Sequence, residues 1–264
     1  ENGESRIYSI WVQDDEERSD GVCFGKEYKR NEITNGEVNI TGDTLHGTNM
    51  AKAAQRVAPD VEFVIVKLKE AKKYYKNSLG IAENVTAFES SDYMLAVDYI
   101  LKKAGEAQRP VAIITGVGTN QGGHDNQSIF ETYLSGVALN NGIALTTAVG
   151  NEALSARHTD FEINNDLGYE DVEISVGENT ESFTMWMWSN ITDRVDISII
   201  PPIGNAIGRI EARNNFISTY TLNLTNTTVR VEYRIPLYRT STQETIISIK
   251  GAVQGIWKIR VFGN

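Results

Sequence analysis

One cysteine, Cys23, in 264 residues excludes an internal disulfide. No histidine lies near it in sequence, so an unreactive thiol is expected. Positive charge is also scarce: 25 Lys and Arg stand against 35 Asp and Glu, a net charge of -10. No basic stripe occurs, which disfavours a nucleic-acid partner. No apolar run approaches the roughly 20 residues that span a bilayer, so no membrane partner is expected. The opening residues, Glu1-Asn2-Gly3-Glu4-Ser5, do not form a signal peptide. Histidines number three (His46, His124 and His158) and are far apart in sequence. With no HExxH, EF-hand loop or paired cysteines, neither a metal nor a cofactor is expected. The glycine-rich run from Gly116 to Gly123 lacks both GxGxxG spacing and a P-loop lysine, so it reads as an active-site loop rather than a phosphate cradle.

What is present divides into two halves. Up to about residue 164, strands and helices alternate. Residues 5–12 alternate apolar and polar and predict a strand. Residues 21–41 carry turn residues and predict a connection with a short helix or hairpin. A helix is predicted from near His46 to Arg56, ending before Ala58-Pro59. Residues 61–68 form a nearly continuous apolar, β-branched run, as in a strand covered on both faces. Ser90-Ser91-Asp92 suits a helix start and Gly105 its end. Residues 111–114 predict a strand, 127–139 an amphipathic helix, and 143–149 a further strand. This order predicts a doubly wound parallel sheet, with ligands beyond the carboxyl ends of its strands. Those ends are Gly116-Val117-Gly118 and Gly150-Asn151-Glu152. Residues 165–264 lose helical periodicity. Eight short alternating runs there predict an antiparallel β-sandwich of jelly-roll type. Phe183, Met185 and Met187 are expected to face one way, and Thr184, Trp186 and Trp188 the other.

The stretch Leu45-His46-Gly47-Thr48-Asn49 sits at a helix start, where a histidine can serve as general base. It resembles the catalytic-histidine motif of the subtilisin-like serine proteases. Val57-Ala58-Pro59-Asp60 leading into residues 63–68 resembles the strand entry of that family. Ala148-Val149-Gly150-Asn151-Glu152 resembles its oxyanion-hole motif, and Gly116-Val117-Gly118 falls where its substrate-binding strand lies. A finer resemblance is to the clostridial germination-type subtilases, the Csp proteases. It is carried by residues 5–11, by Gly118 to Asp125, and by Gly255-Ile256-Trp257-Lys258-Ile259-Arg260.

The resemblance implies an α/β fold: a subtilisin-like sheet over 1–164, incomplete, with a jelly-roll insert over 165–264. It implies a serine endopeptidase acting on a protein or peptide substrate, a germination-related cortex-hydrolase precursor being one, in a spore or extracytoplasmic bacterial setting. His46 would be the base, Asn151 the oxyanion donor, and Gly116, Val117 and Gly118 the substrate-binding backbone. The family's Asp-Thr-Gly would precede Arg6 and its Gly-Thr-Ser would follow Asn264. The chain is therefore expected to be an internal fragment, inactive alone, with flanking segments of the same polypeptide as partners. Asp43, close to His46 in sequence, matches neither motif. Leu45, Asn49 and Gly116 depart from the family's Gly, His and Ser, and Leu45 is expected to crowd a close backbone approach. A non-catalytic pseudoprotease that binds a partner is the alternative. A third reading gives Trp186, Trp188 and Trp257 to a carbohydrate, against the simpler expectation that they pack in a core.

Overall fold

The computed structural model describes residues 3–38, 40, 45–164, 168–236 and 240–263. Two units emerge. The first comprises Glu1–Ala71, Thr86–Thr119 and Ile129–Asn151; the second comprises Lys72–Val85, Asn120–Ser128 and Glu152–Asn264. The boundary expected between 164 and 165 abuts residues 165–167, which lie outside the described residues.

In the first unit, β1 (Ile7–Val12) lies between β2 (Lys26–Lys29), which is antiparallel, and β3 (Phe63–Lys67), which is parallel. Residues 21–41 thus hold both candidate features: strand β2 and a short helix, α1 (Arg30–Thr34). Helix α2 (His46–Val57) connects towards β3. Helix α4 (Ser90–Ala107), which follows α3 of the second unit (Lys73–Ser78), leads to β4 (Val111–Thr115). Helix α5 (Ile129–Ala138) leads to β5 (Ile143–Thr147), which pairs with β4 in parallel. The expected single parallel sheet is therefore found in two pieces, β2-β1-β3 and β4-β5, that share no ladder among the described residues. Helix α4 bridges the two pieces by packing on both. Tyr99, Leu95 and Ile100 of α4 pack with Trp11, Val64 and Val66. Val97, Leu101 and Ile100 pack with Val111, Ile113 and Val137.

Polar groups fix α4 as firmly as its apolar face does. Asp92 does not cap the helix: Glu89 is the N-cap, without a side-chain cap bond. The Asp92 carboxylate is instead buried against Lys69, 3.0 Å away. Gln13 Nε2 donates to the Asp92 carbonyl at 2.9 Å, and its Oε1 accepts from the Lys69 amide at 3.2 Å. Buried Glu27 accepts from the Tyr99 hydroxyl at 3.1 Å and pairs with Lys103 at 2.6 Å. Burial works to lower the Lys103 pKa, but bonds to Glu27 and Glu106 outweigh it, so the net shift is upward. Gly105 does not end the helix. The chain continues to Ala107, and Gln108 takes the left-handed cap with φ 52°.

The second unit is a sandwich of two four-stranded antiparallel sheets. One has the order β10 (Phe216–Leu222), β11 (Thr227–Arg234), β12 (Thr242–Lys250), β7 (Ser182–Asn190). The other has β6 (Tyr169–Val176), β13 (Gly255–Phe262), β8 (Asp196–Ile200), β9 (Ile207–Ile210). All eight expected strands are present, because period-2 alternation puts every second apolar residue into one core. That core holds Ile197, Ile199, Val229, Val231, Ile247 and Ile259, with Phe183, Met185 and Met187 packed against it. Thr184 turns the other way, its hydroxyl donating to the Leu79 carbonyl. Trp257 is fully buried, and its indole N–H donates to the Val253 carbonyl at 2.9 Å, so it cannot serve a glycan platform. Tyr233 is also buried; its pKa is driven upward first by burial.

Core and surface positions of this sandwich are expected to separate cleanly on truncation. Ile259→Ala, at a fully buried site, should cost roughly 2–5 kcal/mol, and Ile217→Ala, on an exposed face, within about 0.5 kcal/mol. Denaturant midpoints of the two variants check this.

Candidate active site

The first turn of α2 and the carboxyl ends of β4 and β5 all belong to the first unit. His46 is the first residue of α2, following the N-cap Leu45. Leu45 is 71% exposed, so its side chain points to solvent and does not crowd the backbone approach, contrary to the sequence expectation. A residue at a helix start has no preceding turn to hold it, and among the described residues the His46 imidazole makes no hydrogen bond. Asp43 lies outside the described residues.

What positions His46 is contact with a backbone. A Cβ placed on Gly116 would meet Met50 Sδ at 2.3 Å and His46 Nε2 at 2.6 Å. The ring edge of His46 and the thioether one turn later on α2 therefore lie directly on the bare face of residue 116. That distance is shorter than carbon tolerates, but the atoms are the ends of two flexible side chains on a helix with no buried residue, so they can shift to admit a side chain at 116, where the resembling motif has serine. Met50 was not singled out by sequence reasoning. Its signal was the four-residue spacing from His46, which puts both side chains on one helix face.

Past β4 the chain runs on beside the end of β5. The Ala148 amide donates to the Thr115 carbonyl at 3.2 Å, and the Thr115 hydroxyl donates to the Thr147 hydroxyl at 3.2 Å. A Cβ on Gly118 would lie 3.6 Å from Gly150 Cα, ordinary contact. Gly150 has φ +84°, a left-handed conformation suited to glycine, and turns the chain immediately before exposed Asn151. Val117 is exposed between its two glycines. Burial pushes the Tyr93 pKa upward, against an opposing influence from Thr115.

The structure thus brings His46 onto Gly116, and Gly118 beside Gly150, with Asn151 next in the chain. The arrangement offers an accessible imidazole, an open strand segment and a free carboxamide at the carboxyl ends of parallel strands, where ligands bind in open α/β sheets. In the second unit, His124 stacks on His158 with ring centroids 5.0 Å apart, although the two are distant in sequence. Among the described residues no group of three or more His, Cys, Asp or Glu is placed to hold a metal. No helix among them is long and apolar enough to cross a membrane.

No family model matches the chain, and no curated protein does. Among solved structures it is similar to the Clostridium perfringens CspB protease, with a TM-score of 0.78 and 20% identity. The match covers 98% of this chain and 54% of that one, so the chain spans about half the length of that protease. At this identity the likeness establishes a shared fold: mixed α/β with a small parallel sheet and predominantly antiparallel strands.

A methyl group at residue 116 is expected to push His46 and Met50 aside. Because both are flexible side-chain ends, Gly116→Ala should change stability by no more than about 0.5 kcal/mol. Adding Met50→Ala should reveal a coupling below about 0.5 kcal/mol in a double-mutant cycle read by thermal unfolding.

Proposed function

We propose that the chain is part of a subtilisin-like serine endopeptidase of Csp type acting on a protein substrate. The observation that supports this most is the seating of His46 Nε2 on Gly116, with Gly150 and Asn151 following along the same strand ends. In this reading His46 removes the proton from a serine hydroxyl as it attacks the scissile carbonyl, then returns it to the leaving amine. The Asn151 carboxamide donates to the developing oxyanion, a contact worth roughly 3–4 kcal/mol in such enzymes. The open backbone of Gly116, Val117 and Gly118 accepts an extended substrate peptide as an added strand. Serine and the carboxylate that orients His46 are supplied by polypeptide beyond these 264 residues, in keeping with the 54% span of the similar protease. A germination-related precursor is the substrate class that the resemblance favours. The β-sandwich is then an insert of jelly-roll type.

A second reading, a non-catalytic binding protein of the same fold, draws support from the His46 imidazole, unpartnered among the described residues, and from Leu45 and Asn49 beside it. The two readings part on kinetics of the full-length polypeptide. For an enzyme, Asn151→Ala should lower kcat about 10²–10³-fold with KM little changed, and His46→Ala should abolish cleavage with the fold retained. Cleavage undiminished in both variants would remove the catalytic assignment. No cleavage by the parent, with partner binding intact, would favour the second reading.

A further inference from the structure

The two sheets of the sandwich have four edges, β10, β7, β6 and β9. An edge strand presents backbone N–H and C=O groups that invite a further strand, and folded proteins blunt such edges. Three of the four are blunted here. Strand β9 is four residues long and carries Gly208 and Arg209. Strand β6 is lined by Glu170, Asp171 and Glu173, whose charges repel a second copy of itself. Strand β7 is overlaid at its start, where the Ser182 hydroxyl donates to the Gly80 carbonyl at 3.3 Å and the Thr184 hydroxyl to the Leu79 carbonyl.

Strand β10 has none of these protections. Phe216-Ile217-Ser218-Thr219-Tyr220-Thr221-Leu222 is seven residues long, rich in β-branched and aromatic residues, and free of charge, proline and glycine. Strand β11 pairs with one side of it, and among the described residues no strand pairs with the other. Phe216, Tyr220 and Leu222 pack against the sandwich core yet stay half-buried. On β11, which is flanked on both sides, Val229, Val231 and Tyr233 are fully buried. The core is thus left open along β10 for want of one more strand. On its outer face Ile217 is 56% exposed, in line with exposed Thr219 and Thr221.

We propose that β10 is a homodimerisation edge: it pairs antiparallel with β10 of a second copy, about a two-fold axis at Thr219, and joins two four-stranded sheets into one of eight. The strand is complementary to itself in this register. On the core side, Phe216 of each copy meets Leu222 of the other, and Ser218 meets Tyr220. On the outer side, Ile217 meets Thr221, and Thr219 meets Thr219. The half-buried Phe216, Tyr220 and Leu222 each gain a cross-strand neighbour, and the free backbone groups of both edges find partners. No like charges face each other, because the uncharged run extends past the strand, from 214 to 229. A second copy is the occupant that the sequence of the strand itself specifies. The inference concerns the second unit alone and stands apart from the peptidase reading.

Sedimentation velocity of the full-length polypeptide should show monomer and dimer exchanging with concentration. Thr219→Lys, at an exposed position, sets two ammonium groups face to face and should weaken association about tenfold or more, with circular dichroism unchanged. Single cysteines in a cysteine-free background read the register. Directly opposed residues of an antiparallel pair lie within disulfide reach, so Thr219→Cys should give a covalent dimer on mild oxidation. Ile217→Cys and Thr221→Cys, each about 13 Å from its own counterpart in the pair, should not, whereas a mixture of the two should. A polypeptide that stays monomeric at every concentration, association undiminished in Thr219→Lys, or equal cross-linking at all three positions would overturn the proposal.

Discussion

The candidate site turns on one contact, in which the ends of the His46 and Met50 side chains lie against the bare backbone of Gly116, just past β4. His46 is exposed, with no hydrogen-bonding partner among the described residues and no preceding helical turn. With His46 Nε2 and Met50 Sδ where a Cβ would be, the imidazole is held against the strand that would receive a peptide. A side chain at 116 would displace the ends of the His46 and Met50 side chains and so shift the imidazole relative to the strand end.

Behind this contact stands α4. Its apolar face is shared between two sheet pieces that do not pair with each other, and Ile100 contributes to both clusters. The buried polar bonds of Asp92, Lys69 and Gln13 tie its start to the ends of β1 and β3. Glu27, Tyr99 and Lys103 tie its later turns to β2. Burying such charges is costly unless each is paired, and here each meets an opposite charge or donor. The β-sandwich needs no such device, because its two sheets share one continuous apolar core.

Much of this was legible in the sequence. Period-2 alternation located all eight sandwich strands, and the apolar runs located β3, β4 and β5, since burial of one or both strand faces leaves a direct mark on composition. The His-Gly-Thr and Gly-Asn motifs single out His46 and Asn151 as candidates, and the fold sets His46 against Gly116 and Gly118 beside Gly150. Other features were hidden because they rest on tertiary partners. Asp92 reads as a helix cap until Lys69 is seen beside it. Gly105 reads as a helix stop until Gln108 is seen to take the left-handed cap. Met50 carries no mark of function, and Leu45 reads as an obstruction although its side chain lies in solvent.

The central claim is that the His46 imidazole is the base of a peptide-binding site. A peptidyl chloromethyl ketone tests it most directly, because such a reagent docks as a substrate strand and alkylates the base beside it. Peptide mapping of the treated full-length polypeptide should find one modification, on His46, suppressed by competing substrate. Modification of His124 or His158 instead, or none at all, would contradict the account.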